Sequence, residues 1–119
     1  MLDKSIIDIE DALNRALGDV TFLKMMYDEF QEMVPQFLNT IQKAVEKKDT
    51  DSLDRTAHQM KGAAANLGIL SISSAAFALE KIGKSGDPTA APNAFENLKL
   101  SIDDFRNQLD QINWTALEE

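Results

Sequence analysis

The residues best suited to chemistry in this 119-residue chain lie around its single histidine, His58. Lys61 and Gly62 follow at three and four positions, so on a helix both lie beside the imidazole. A neutral imidazole is a nucleophile that can accept a phosphoryl group, and a lysine offsets part of the charge of that group. A glycine leaves open space beside the ring. Together, the three residues predict a site that carries a phosphoryl group and presents it to another protein.

Gly62 is the most informative neighbour of His58, because a mid-helix glycine costs about 1 kcal/mol relative to alanine. Alanines follow it directly, so a more stable residue was available to this helix. Clearance for a docking partner or a phosphoryl group explains the glycine better than packing does, because Gly62 faces further outward than His58. Gln59 and Ala65 are predicted to border the docking surface. Each of the polar residues, taken alone, could equally be an ordinary solvated side chain.

The element that must position these residues is a helix predicted over residues 51–67. Its apolar stripe steps by four, three, four and three residues, through Leu53, Ala57, Met60, Ala64 and Leu67. At about 100° per residue, His58 lies roughly 135° from the centre of this stripe, on the outward side of the helix. Gly68 is predicted to end the helix in a left-handed conformation.

The same periodicity predicts four further helices, over residues 8–17, 20–47, 71–84 and 93–117. The first of these would bury Ile9, Leu13 and Leu17. The second would bury Phe22, Met26, Phe30, Met33, Phe37, Ile41 and Ala44. Asp19 and Ser71 are the predicted N-caps of the second and fourth helices along the chain. Pro35 is predicted to bend the long helix near Gln31 without ending it.

Short segments join the predicted helices, and short connections favour antiparallel neighbours. The sequence therefore predicts an all-α fold, an antiparallel up-down-up-down four-helix bundle with a short additional N-terminal helix. Residues 1–119 are expected to form a single domain, because one bundle accounts for every apolar stripe. For the same reason we expect a monomer.

Composition narrows the classes of partner and site. Acidic residues outnumber basic ones by 20 to 12, the formal net charge is -8, and no basic cluster is present. Neither nucleic acid nor a membrane is therefore an expected partner. The chain has no cysteine and its inward stripes are apolar, so we expect no disulfide and no metal site. The lack of cysteine, of a signal-peptide pattern and of a long apolar run favours the cytoplasm.

The segment around His58 resembles the histidine-containing phosphotransfer (HPt) domains of two-component phosphorelays. Their pattern, roughly A-H-x-L-K-G-x-x-x-x-x-G, is matched by Ala57, His58, Met60, Lys61, Gly62 and Gly68. Met60 replaces the commoner leucine, which is a conservative change in a core. The resemblance extends over essentially the whole chain, including Pro35 in the long helix and a Leu-Glu pair at residues 79–80.

The resemblance implies that His58 is phosphorylated, with Lys61 and Gly62 as close neighbours. The ring nitrogen farther from the backbone would attack an aspartyl phosphate on a receiver domain of a response regulator or a hybrid sensor kinase. It would then give the phosphoryl group to an aspartate of a second receiver. Lys84 stands where some members help to hold the phosphoryl group with a basic residue. Glu80 stands where some members have a polar side chain, but a carboxylate is not expected to hold a phosphate.

The resemblance also implies a phosphocarrier rather than an enzyme. The chain has no phosphate-binding glycine loop and no nucleotide motif, so it needs no cofactor of its own. Magnesium is expected in the partner receiver domain instead. Two other classes stay open, a phosphorylation-independent helical-bundle adaptor and a metal- or cofactor-binding bundle. Within the family, the phosphate-accepting domain of a chemotaxis-type kinase is a further alternative.

Overall fold

The computed structural model describes residues 2–118 and contains six helices within that range. They are α1 (Ile9–Arg15), α2 (Val20–Lys47), α3 (Thr50–Asn66), α4 (Leu70–Ser85), α5 (Ala91–Gln111) and α6 (Trp114–Leu117). Helix α3 packs between α2 and α4, and α5 contacts both α4 and α2. No strand occurs between residues 2 and 118, which confirms the predicted all-α bundle with a short N-terminal helix. None of the helices in this range is long and apolar enough to cross a membrane.

Helices α2, α3 and α4 run antiparallel because very short connections join them. Only Lys48 and Asp49 connect α2 to α3, and only residues 67–69 connect α3 to α4. A hydrogen bond shows that α2 and α3 are antiparallel, because it joins the first half of α2 to the end of α3. The hydroxyl of Tyr27 donates to the carbonyl oxygen of Leu67 at 2.9 Å. The bundle measures 49 × 23 × 20 Å.

Helix α3 matches its prediction to within one residue at each end. The side chain of Asp49 accepts a hydrogen bond from the backbone N–H of Ser52 at 3.0 Å, which begins the helix. The whole predicted stripe is buried: Leu53, Ala57, Met60, Ala64 and Leu67. Gly68 follows with a φ of +68°, and a Cβ there would lie 2.6 Å from the carbonyl oxygen of Asp8. Both the backbone conformation and this close approach therefore require glycine.

The buried face of α2 matches the predicted one in part: Phe30, Phe37, Ile41 and Ala44 are buried as predicted, and Met26 is half-buried. Phe22 and Met33, two members of the predicted stripe, are 45% and 47% exposed. Other apolar residues of α2 are buried instead, among them Leu23, Tyr27 and Val34. Tyr27 packs edge-on against Phe105 of α5, with the ring centres 5.8 Å apart, and this contact favours the observed face. Pro35 lies inside the continuous helix, as predicted, and the bend near Gln31 stays a prediction.

The predicted ends of the first and last helices are wrong. Leu17 lies outside α1 with a φ of +57° and is 94% exposed, whereas Ile9 and Leu13 are half-buried against the core and Ala12 is the fully buried residue of the helix. The helix predicted over residues 93–117 is two helices, because the backbone becomes extended at Ile112. Asn113 then caps the short α6 by accepting a hydrogen bond from the N–H of Ala116 at 3.1 Å.

One of the two predicted N-caps is confirmed. Asp19 begins α2 by accepting a hydrogen bond from the N–H of Phe22 at 2.9 Å. Ser71 does not cap α4, which begins one residue earlier, at Leu70. The Ser71 hydroxyl is buried without a hydrogen bond to any residue from 2 to 118, and its backbone N–H donates to the carbonyl oxygen of Ile6.

Candidate functional site

The position of His58 is fixed by the two ends of α3. Asp49 caps the start of the helix, and the hydroxyl of Tyr27 binds the carbonyl oxygen of Leu67 at its end. Between these ends, the side chain of His58 is 66% exposed, while its neighbour Ala57 is fully buried. The imidazole is therefore held on a fixed element and open to solvent, as a group that reacts with another protein must be.

A carboxylate from the facing helix holds the inner edge of the imidazole. Nδ1 of His58 is hydrogen-bonded to Oε2 of Glu80, on α4. Glu80 is 2% exposed and is the one buried charged side chain among residues 2–118. Its other oxygen, Oε1, accepts a hydrogen bond from Nζ of Lys61 at 2.7 Å. A single buried carboxylate thus holds both of the polar residues that the sequence singles out on α3.

The charge state of Glu80 determines which imidazole nitrogen carries the proton. The hydrogen bond from Lys61 lowers the pKa of Glu80 below its ordinary value, burial acts in the opposite direction, and the bond from His58 adds to the lowering. Glu80 is therefore ionised at neutral pH, and a carboxylate can only accept hydrogen bonds. Nδ1 must then be the protonated nitrogen, and in the neutral ring Nε2 carries an unshared electron pair. The geometry leaves Nε2, the nitrogen farther from the backbone, with the unshared electron pair that a nucleophile requires.

The ammonium group of Lys61 has a second partner on α4. It lies 4.9 Å from the centre of the Phe77 ring, and Lys81 lies 4.3 Å from the centre of the same ring. Lys61 is 29% exposed, much less than His58. Its positive charge is therefore held beside the imidazole and is not free in solvent. In that position it can offset the charge of a phosphoryl group on the ring.

Lys84 also lies near His58, as the sequence predicts, but it is paired. Its Nζ atom is 3.4 Å from Oδ1 of Asp54. Both residues line a shallow concavity of about 330 Å³ together with Arg55, His58 and Gln59. Arg55 was not singled out by sequence reasoning, although it precedes His58 by three positions and so shares its face of α3. The concavity places the imidazole beside two cationic side chains, one of them paired with the carboxylate of Asp54.

Gly62 lies in open space, as expected for clearance beside the ring. A Cβ atom at this position would meet no other heavy atom within 4 Å, so packing against another helix does not explain the glycine. Of the two residues predicted to border a docking surface, Gln59 is exposed and Ala65 is half-buried. Ala65 is therefore less accessible than Gln59 to an incoming protein.

A groove between α2 and α3 adjoins the imidazole. It has a volume of about 510 Å³ and is lined by Met33, Gln36, Phe37, Thr40, Thr56, Gln59 and Ala63. Gln59 lines both this groove and the concavity at His58, so the two are neighbours on the surface of α3. Met33 is half-exposed in the groove, which leaves apolar surface open there.

Sequence reasoning missed the contact between Glu80 and His58 because it asked only whether a carboxylate could hold the phosphate. A carboxylate repels a phosphate, and that argument holds at Nε2. Glu80, however, contacts Nδ1, on the opposite edge of the imidazole. The signal that could have revealed it is the spacing of two hydrogen-bond donors, His58 and Lys61, on one face of a helix, where one acceptor on the neighbouring helix can reach both.

Comparison with known proteins gives one match. A family model described as the Hpt domain matches residues 25–112, which includes the site and most of the bundle. This match confirms the resemblance predicted from the residues around His58. Neither a curated protein nor a solved structure matches the chain.

Proposed function

The chain belongs to the Hpt domain family, and on that premise we propose that it is a phosphorelay intermediate that carries a phosphoryl group on Nε2 of His58. Members of this family act in phosphotransfer in two-component signalling, and they are phosphocarriers rather than enzymes. The observation that carries the proposal is the hydrogen bond from Nδ1 of His58 to the buried carboxylate of Glu80. It leaves Nε2 unprotonated on the exposed side of the ring.

The transfer step follows from this tautomer. The electron pair on Nε2 attacks the phosphorus of an aspartyl phosphate on a receiver domain, the N–P bond forms, and the P–O bond to the aspartate breaks. The aspartate leaves as a carboxylate. The phosphorylated ring keeps its proton on Nδ1 and is therefore cationic, and the negative charge of Glu80 stabilises it. The same steps in reverse give the phosphoryl group to an aspartate of a second receiver.

The neighbouring residues supply charge and space for this reaction. Lys61, which is ordered by Glu80 and Phe77, lies where it can offset the charge on the phosphoryl group. Lys84 adds a second cation at the concavity beside the ring. Gly62 gives the receiver domain room to approach. This chain supplies no metal in the proposal, and the magnesium ion belongs to the receiver.

The docking surface proposed for the receiver is the exposed face around His58. Gln59 and Ala65 border it on α3, and the apolar groove between α2 and α3 continues it away from the ring. The partners would be receiver domains of response regulators or of a hybrid sensor kinase. We further propose that residues 1–119 act as one domain, as a monomer in the cytoplasm.

Phosphoryl transfer from a phosphorylated receiver domain tests the proposal. The wild-type chain and the variant His58→Gln are each incubated with the labelled receiver, and the label on the chain is followed over time. We expect label on the wild-type chain only, in a linkage that is labile to acid and stable to alkali, as a phosphoramidate is. Circular dichroism of the variant verifies that it is folded.

Each other outcome would contradict the proposal in a distinct way. Equal labelling of both proteins would place the phosphoryl group on another residue. No labelling by any receiver, together with continued binding of the receiver, would support the phosphorylation-independent adaptor. Labelling by a kinase with ATP but by no receiver would favour the phosphate-accepting domain of a chemotaxis-type kinase.

A further inference from the structure

Helices α3 and α4 approach each other closely at a glycine that the proposed function does not use. A Cβ atom on Gly83 would lie 2.5 Å from the backbone nitrogen of Asp54, 2.7 Å from its Cα and 2.8 Å from its Cβ. Gly83 is buried within α4, in an ordinary helical conformation. No feature of its own backbone requires glycine, so the requirement comes from the neighbouring helix.

This close approach lies one turn from the candidate site. Asp54 precedes His58 by four residues on α3, and Gly83 follows Glu80 by three residues on α4. The pairs that connect the two helices occur at successive turns: Asp54 with Lys84 at 3.4 Å, His58 with Glu80, and Lys61 with the ring of Phe77 at 4.9 Å. The distance between α3 and α4 at Gly83 therefore also sets the distance that the side chain of Glu80 must span to reach His58.

We propose that Gly83 is a positioning residue, whose missing side chain sets the distance between α3 and α4 at which Glu80 reaches both His58 and Lys61. Through Glu80, Gly83 fixes the proton on Nδ1 of His58. Its effect on phosphoryl transfer rests on the function proposed above, whereas its effect on the tautomer does not.

An alanine at position 83 would separate the two helices far enough to break the hydrogen bonds of Glu80. An alanine at position 83 would have to move from 2.5 Å to at least 3.4 Å from the backbone of Asp54, so the helices must separate by about 1 Å at this turn. Two of the three contacted atoms, the nitrogen and Cα of Asp54, are backbone atoms of a continuous helix and cannot move aside individually. The bond between Lys61 and Glu80 is 2.7 Å long, and lengthening it by about 1 Å exceeds hydrogen-bonding distance.

Nitrogen NMR of the imidazole tests the inference directly. His58 is the only histidine, so protein labelled with nitrogen-15 histidine gives the two ring signals of this residue alone. In the neutral ring we expect wild-type Nδ1 to be protonated and Nε2 to be unprotonated. In Gly83→Ala we expect both tautomers to be populated, so each nitrogen shift moves toward the average. Unchanged shifts in a folded Gly83→Ala protein would overturn the proposal.

The matched control is Gly62→Ala, on α3. It makes the same change in side chain in the middle of a helix next to His58, but at a position with nothing within 4 Å. We expect it to leave both ring nitrogens at their wild-type shifts. Because this alanine stabilises the helix, Gly62→Ala also provides a background in which Gly83→Ala can be studied if the single variant unfolds. If the tautomer is unchanged in that folded double variant, the proposal fails.

The rate of phosphoryl transfer gives a second, independent test. If Gly83 acts through Glu80, Gly83→Ala lowers the transfer rate about tenfold in the wild-type chain but has little further effect in a Glu80→Gln chain. Equal losses in both chains would mean that Gly83 acts by another route, and would contradict the proposal. If the wild-type chain accepts no phosphoryl group at all, the proposed function fails, but the tautomer measurement still decides the role of Gly83.

Discussion

Glu80 and His58 share a hydrogen bond although one side chain is 2% exposed and the other 66%. The carboxylate thus acts from inside the bundle, where an incoming protein cannot compete for it. The imidazole presents its opposite edge to solvent. A charge in the protein interior acts on its neighbour more strongly than a charge surrounded by water. The arrangement can therefore control the reactive nitrogen without occupying any of the surface that a partner must contact.

The variant Glu80→Gln should transfer the phosphoryl group about ten times more slowly, equivalent to about 1.4 kcal/mol in the barrier. His58 Nδ1–H and Lys61 bind different oxygens of Glu80, and an amide replaces one of those oxygens with an NH₂ group, so one of the two donors loses its acceptor. If its NH₂ group faces Nδ1, the proton moves to Nε2 and blocks the nucleophile. Single-turnover transfer from a phosphorylated receiver measures the change. Glu96→Gln, an exposed site on α5, is the control, and equal rates for the two variants would refute this role of Glu80.

The stability of the protein should fall in acid partly because of Glu80. Its pKa in the folded state is lower than the ordinary 4.5, so the unfolded chain binds the proton more readily. The stabilising contribution is complete above about pH 4.5 and is lost as the pH falls through the lowered value. Urea unfolding at a series of pH values measures it, and Glu80→Gln should show the shallower dependence. Asp3 and Asp87, whose pKa values are also lowered, titrate alike in both proteins. Parallel curves would contradict this prediction.

Substitutions of Gly62 should separate stability from transfer. Gly62→Ala should raise the free energy of unfolding by about 1 kcal/mol, because the new methyl group meets no other atom and the helix is favoured. Gly62→Gln should also fold, but its longer side chain fills the space beside His58 and should slow transfer to a receiver. Urea unfolding and single-turnover transfer measure the two effects. A Gly62→Gln protein that transfers at the wild-type rate would show that this space is not used.

Removing the hydroxyl of Tyr27 should destabilise the end of α3. Tyr27→Phe loses the hydrogen bond to the carbonyl oxygen of Leu67, at a cost of about 1 kcal/mol or somewhat more because that oxygen is left without its partner.

Burial, with a contribution from the charge of Asp8, raises the pKa of Tyr27 well above 10. The wild-type protein should therefore lose stability as the pH rises above 10, since only the unfolded tyrosine ionises there. Tyr27→Phe should lack this additional loss. An identical alkaline dependence in both proteins would argue against it.

Helix α3 could be predicted closely because its pattern allows a single solution. Every position of its stripe is apolar, the positions between are polar or small, and Asp49 and Gly68 lie at its ends. Helix α2 could not be predicted in the same way, because it carries large apolar residues on more than one face. Its periodicity fits the stripe that contains Phe22 and Met33 as well as the one that is buried. Contacts with other helices determine which face of α2 is buried, and those contacts cannot be read from the sequence of α2 alone.

In the candidate site, too, the residues on one helix could be predicted from the sequence, but the contacts between helices could not. His58, Lys61 and Gly62 are close in sequence and lie on one helix, so their arrangement follows from helical geometry alone. Glu80 and Gly83 belong to the facing helix, and their roles depend on how closely α4 approaches α3. Residue type even pointed away from Glu80, because charge alone does not say which edge of an imidazole a carboxylate will face.

The register between α3 and α4 restricts where this fold can tolerate insertions. One residue added between α3 and α4 would change the register of α4 against α3, by about 100° where it extends a helix, and all three cross-helix pairs would be lost together. The three-residue connection has no slack to absorb such a change, because the N–H of Ile69 is bound to the carbonyl oxygen of Ala64 at 3.0 Å. Residues 86–90, between α4 and α5, lie beyond these pairs, and additions there leave them intact. Among proteins that share this site, length should therefore vary between α4 and α5 and stay constant between α3 and α4.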